Sequence, residues 1–288
     1  PTLIDVPESI LIAEGRPLGK GNIFYELYKR GESTDPAYSQ YKSYHWTAEG
    51  ILTPEQILQA KRNHSEEDYE REFNASFNTA KSSPYHAYSE ANHLVLSLDA
   101  KQPILISADF NATEKPMSWI IGQQKIYQNR LILYWHKEFV VKYTNTYEMS
   151  DIVLRYLETL GNVKVRFFGD FAGSHKTSNS SVSDWDIIKN KFAKYLMPYD
   201  NIMIQFTKSV RDSIGATNKV LKNALGEIVM YVNPYECKHL IDDWVLTEWD
   251  SSGQKLSESN PERGHICRAV DYAVNVLYPL GESRIDIF

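Results

Sequence analysis

The chain has 288 residues, 42% of them hydrophobic and 12% aromatic, and a formal net charge of −6. This balance excludes a disordered chain and one coated in positive charge to hold nucleic acid, and no apolar run is long enough to cross a bilayer. Cys237 and Cys267 are too few for a disulfide framework and neither sits in a CxxC, so a reducing, intracellular setting is expected, and PTLIDVPESI lacks the basic and apolar regions of a signal peptide.

The first part runs to about residue 92. It opens with an apolar run at residues 9–13 that reads as a short strand, followed by the loop EGRPLGKGN and a helix, NIFYELYKRG, stopped by Gly31. The loop is not a phosphate-binding P-loop. Three residues separate Gly15 from Gly19 where four are needed, and Gly21 follows Lys20 where Ser or Thr should hold the metal. Thr53-Pro54-Glu55 reads as a cap, a proline in the first turn and an acid near the positive helix end; Ser65 reads as the cap of a second, acid-rich helix. The polar stretch NTAKSSPYHAYSEANH marks a boundary.

Beyond it, strand-like and helix-like patterns alternate. Strands are expected at residues 103–110, 117–125 and 131–140, the last two joined by the turn-like YQNR. A helix over 146–160 stops at Gly161, a strand follows at 163–168, a helix over 183–196 is capped by Ser183, and a strand covers 201–206. Further helices and a small hairpin at 225–232 close the chain. The order β-β-β-α-β-α-β-α predicts a mixed α/β layer fold.

Asp109 and Asp170 each end an apolar strand and precede a small-residue loop, DFNA and DFAG. In an open α/β sheet, strand ends of this kind gather where ligands bind. Two carboxylates there repel unless a cation or a proton neutralises them, and Mg²⁺ or Mn²⁺ takes oxygen ligands and leaves room for water and phosphate. Strand-end acids also serve turns and caps, and the residues alone leave both readings open. A third acid on a C-terminal helix would complete such a site, and Asp271 in GHICRAVDYAVNVLY is the candidate. Glu114, five residues after Asp109, and Glu138, at the end of YWHKEF, are secondary candidates for the site, with surface acids the favoured reading, and Asp184 and Asp186 read as acids serving the start of their helix. The stretch 176–222 carries eight basic residues against four acids, a local basic face on an acidic protein.

Four segments together resemble the nuclease end of a tailed-bacteriophage terminase large subunit, the motor-nuclease that packages viral DNA. ISADFNATEKPMSWIIGQ is similar to the first strand and hairpin of its RNase H-like domain, and FFGDFAGSHKTSNSSVSDWDIIKNKF to its second acidic motif. ATNKVLKNALGEIVMYVNPYECKHLIDDWVLTEW and NPERGHICRAVDYAVNVLYP resemble its closing region and final helix. FYELYKRG and the run Tyr69–Phe73 resemble the end of the family's ATPase domain. The resemblance implies a remnant of that domain over residues 1–95, small and mostly helical, with no Walker A, and an RNase H-like mixed sheet flanked by helices over 96–288.

It further implies a two-metal endonuclease that cuts duplex concatemeric DNA with little sequence preference. Two Mg²⁺ or Mn²⁺ ions would be held by Asp109, Asp170 and Asp271. The family pattern His-x-x-Asp-Ala-x-x-Tyr meets His265, Ala269 and Tyr272 here, but Arg268 stands where the acid is expected. Ile266, Ala269, Val270, Ala273, Val274 and Leu277 define the buried stripe, and Asp271 lies nearer to it than Arg268, so the acid is expected one turn on. His265 is a candidate metal ligand, base or phosphate contact, or a plain cap. Lys176, Lys208, Arg211 and Arg268 are the candidate DNA contacts, with Arg268 free to pair with Asp271 instead. The implied partners are double-stranded DNA, the small terminase subunit, the portal or procapsid and the rest of the motor. The setting is the host cytoplasm rather than the virion, with no membrane, and ATP hydrolysis is not expected from this chain alone. Two other readings stay open: a catalytically silent DNA-gripping or docking module, and another RNase H-like nuclease such as a resolvase.

Overall fold

The computed structural model describes residues 9–17, 22–77, 83–111, 114–175, 182–197, 202–205 (backbone only), 209–251 and 253–280. The chain forms two compact units, residues 1–61 with 66–80 and residues 62–65 with 81–288. The smaller holds helices α1 (Ile23–Glu32), most of α2 (Pro54–Asn63) and α3 (Glu66–Phe73). Asn22 caps α1 through its side chain, and Thr53 accepts from the Gln56 amide at the head of α2. The apolar residues at 9–13 form no strand: Ile10, Leu11 and Ile12 are exposed and carry no ladder partner.

The larger unit is built on a mixed sheet of β1 (Ile104–Asp109), β2 (Met117–Tyr127), β3 (Arg130–Val141), β4 (Val165–Asp170), β5 (Ile202–Gln205) and β6 (Met230–Val232). The spatial order is β5-β4-β1-β2-β3-β6. β1, β2 and β3 form an antiparallel meander, while β4 lies parallel to β1, β5 to β4, and β6 to β3. The meander turns at Gln128 and Asn129, both left-handed, as a two-residue hairpin loop requires. The helices are α4 (Thr146–Leu160), α5 (Asp184–Lys191), α6 (Val210–Leu221), α7 (Lys238–Leu246) and α8 (His265–Leu277). The RNase H-like arrangement expected from the sequence, a mixed sheet flanked by helices, is what these elements form.

Strand alternation sends each face of the sheet to its own core. Ile104, Ile106 and Ala108 pack with Met149, Val153 and Ile188 of α4 and α5 on one face. Leu105 and Phe168 pack with α6, α7 and α8 on the other, and Ser107 donates to the Ala269 carbonyl of α8. Asp109 and Asp170 continue this second set, so both emerge on the α8 side.

Two further details depart from the sequence reading. Residues 225–232 are not a hairpin: Met230–Val232 joins the main sheet as a short parallel edge strand beside β3. The compact units also divide at residue 80 rather than 95, because Tyr85 is buried against α8 and Asn92 donates to the Leu221 and Met230 carbonyls.

Candidate active site

Ala108 pairs with Gly169 across the parallel β1–β4 ladder, so Asp109 and Asp170 follow side by side at the carboxyl ends of neighbouring strands. Gly169 is needed there. A Cβ at this position would lie 2.8 Å from the Ala108 carbonyl and 3.0 Å from the Trp185 ring. Helix α8 crosses above, starting from Gly264 in the left-handed region (φ 85°), whose amide donates to Asp243 Oδ2 at 2.8 Å.

Two side chains of α8 reach the carboxylates. His265 Nδ1 lies 3.0 Å from Asp109 Oδ2, and its Nε2 lies 3.1 Å from the Pro261 carbonyl, which can only accept. Burial alone would lower the His265 pKa, but the hydrogen bond and charge of Asp109 outweigh it and raise the pKa. Tyr272 Oη lies 3.4 Å from Asp109 Oδ1 and 3.2 Å from Asp170 Oδ2. Burial, then the charge of Asp109, pushes the Tyr272 pKa far up, so the phenol keeps its proton. Asn111 Nδ2 donates to Asp109 Oδ2 at 2.7 Å and lies 3.2 Å from His265 Nδ1, and Asp170 Oδ1 accepts from the Ala172 amide at 3.1 Å.

This donor set fits a hard cation. One phenolic proton cannot serve both carboxylates at once, and two carboxylates on adjacent strand ends repel until a positive charge sits between them. Both offer only oxygen, the chemistry that Mg²⁺ and Mn²⁺ prefer.

Asp271 does not join the pair, which corrects the expectation for the third acid. Its carboxylate is fully buried and accepts from Tyr85 Oη at 3.0 Å, Thr217 Oγ1 at 2.6 Å and Arg268 Nη1 at 2.8 Å. Burial raises its pKa, with Arg268 and the hydroxyls pulling the other way. The helical wheel places Asp271 near the buried stripe correctly, but its carboxylate turns toward Thr217 of α6 and Tyr85, whereas residues 265 and 272 are the ones that reach the carboxylate pair. Among the described residues no group of three or more His, Cys, Asp or Glu side chains could hold a metal ion.

The candidate DNA contacts fare differently from one another. Lys176 and Lys208 lie outside the described residues. Arg211 donates to the Gly253 carbonyl at 3.0 Å and stacks over Trp249 at 5.5 Å, so its guanidinium serves a loop. Arg268 pairs with Asp271 and lies 5.0 Å over the Tyr272 ring. Glu138 is no surface acid: it accepts from the His239 and Leu240 amides and caps α7. Glu114 is exposed, and Asp186 completes a capping box with Ser183. Asn111, Tyr272 and Asp243 carried no assigned role in the sequence reading. Asn111 stands two residues past Asp109, a spacing that marks it, whereas Asp243 reaches Gly264 only through the packing of α7 on α8.

No family model matches the sequence, and no curated protein does. Among solved structures, the chain is similar to the large terminase of a thermophilic bacteriophage, with a TM-score of 0.61 at 17% identity over 91% of this chain and 61% of that one. The same terminase in complex with ADP gives the same values, and in complex with ATP-γ-S it gives 0.58 at 16% identity over 90% and 61%. The chain thus spans about 61% of the length of these terminase structures. At this identity the likeness is one of architecture: the chain has the fold of a bacteriophage large terminase over the span they share.

Proposed function

We propose that the larger unit is a metal-dependent nuclease that cuts duplex DNA, the cleaving part of a viral DNA-packaging terminase. The observation that carries this reading is the juxtaposition of Asp109 and Asp170 on adjacent parallel strand ends beneath a single shared hydroxyl. The smaller unit is read as the end of a packaging motor's ATPase domain, on the resemblance of its α1 and α3 sequences and on the shared fold. DNA, the small terminase subunit, the portal and the rest of the motor are the partners this reading implies.

Asp109 and Asp170 would hold Mg²⁺ or Mn²⁺. Such an ion supplies Lewis-acid polarisation of a phosphoryl oxygen and a more acidic water. The chain's own residues prepare the pair. Asn111 and His265 fix the orientation of Asp109, the Ala172 amide fixes that of Asp170, and Tyr272 bridges the two. With both ring nitrogens engaged, His265 acts as a positioning residue rather than a free base.

A second reading, a silent DNA-gripping module, draws on the diversion of Asp271 to Arg268. Incubation of supercoiled plasmid with the protein and Mn²⁺ separates the two. Relaxed and linear DNA that disappears on chelation with EDTA supports the nuclease. Retention of intact plasmid in a mobility shift, without cleavage, supports the silent module.

A further inference from the structure

Residues 265, 268 and 272 of α8 fall on one side of the helix at spacings of three and four. The outer two touch the carboxylates, His265 on Asp109 and Tyr272 on both. Position 268 lies between them, so it is the place on α8 from which a further ligand would reach the pair. What stands there is a guanidinium, 5.0 Å over the Tyr272 ring and held by Asp271 Oδ2 at 2.8 Å. Asp271 itself is sealed in by Tyr85, Thr217 and Arg268 and offers no oxygen to the site.

The geometry points to a single-cation site, with Arg268 as a resident positive charge that takes the place of a second metal ion. This rests on the reading of Asp109 and Asp170 as metal ligands. Asp271 is taken up by Arg268, Tyr85 and Thr217, so among the described residues two carboxylates face the site, the charge that one divalent ion balances. A second dication on the α8 side would meet the Arg268 guanidinium where a ligand oxygen is needed, with the Asp271 carboxylate turned away from it. The Arg268–Tyr272 stacking keeps the guanidinium in place while leaving the phenol free to bridge the carboxylates. Arg268 is thus a positioning and charge-setting residue, and the buried network around Asp271 exists to hold it.

The test is an ion count on the full chain. Mn²⁺ is titrated into the protein and bound ion is measured from the loss of the free-ion electron paramagnetic resonance signal. Plasmid cleavage rate is recorded against Mn²⁺ concentration alongside. One ion per chain, lost in Asp109→Asn/Asp170→Asn, and a rate rising with the first power of Mn²⁺ are expected. The double variant Arg268→Asp/Asp271→Asn, checked for its fold by circular dichroism, should bind two. Two ions in the wild type, or a second-power dependence, overturns the single-cation inference and leaves the metal-ligand reading standing. No bound ion in the wild type overturns that reading, and the inference falls with it. A folded double variant that still binds one ion overturns the role given to Arg268. Should that variant not fold, the wild-type count and power law decide.

Discussion

Asp243 shows how one buried acid can shape both a helix and its stability. It is 5% exposed and holds the amide of Gly264, the residue that caps α8, and burial, only partly offset by that amide, raises its pKa to about 6. Between about pH 4 and 6 the unfolded chain ionises this group while the folded one keeps the proton, so its contribution favours folding at low pH and is lost as pH rises. The loss is on the order of 3 kcal/mol. Asp243→Asn keeps an acceptor for Gly264, and its urea-unfolding stability relative to wild type should rise through that window; a difference flat from pH 4 to 7 would sink the assignment. Asp271 differs in having a buried cation as its partner. Asp271→Ala strands the Arg268 charge and should cost about 3–5 kcal/mol, read from the urea midpoint. A loss under about 1 kcal/mol, the range of a surface pair, would show that the pair is not a desolvated one. The sequence made the burial of Asp271 legible through helix periodicity. It could not show which neighbour the buried side faces, because that depends on α6 and Tyr85, over fifty residues away in the chain.

At the scale of elements, the parallel β1–β4 pair sets the spacing of the two acids, and Gly169 sets how closely the strands and Trp185 pack. Gly169→Ala forces a Cβ into the Ala108 carbonyl and should destabilise the larger unit by about 1–3 kcal/mol. It should also lower Mn²⁺ affinity, because Asp170 is the next residue. Thermal unfolding and Mn²⁺ titration check the two effects, and unchanged values for both contradict the packing argument. The meander, α4 and α5 were legible because each carries local signals: short apolar strand runs around the turn-like YQNR, the Asn145 and Ser183 caps, and Gly161 at a left-handed C-terminus. Met230–Val232 was not. A three-residue parallel edge strand is chosen by β3, which lies about a hundred residues earlier, and a local reading sees only a turn and an apolar run.

For the whole molecule, the two compact units differ in how much core they bury. Among the described residues, α1 buries none, α2 only Ala60, and α3 Asp68 and Tyr69, whereas the larger unit has a continuous apolar core on each face of its sheet. A small unit with so little buried apolar surface is marginal. Calorimetry should therefore record two transitions, the first at lower temperature and with the smaller enthalpy; one cooperative transition would contradict independent units. No described helix is long and apolar enough to cross a membrane. The central claim is that Asp109 and Asp170 together hold the cation that cleavage requires. Asp109→Asn and Asp170→Asn, each assayed on supercoiled plasmid with Mn²⁺, test it most directly. The account predicts that either change lowers the cleavage rate by about two orders of magnitude or more while the protein stays folded. Wild-type rates in either folded variant would contradict it.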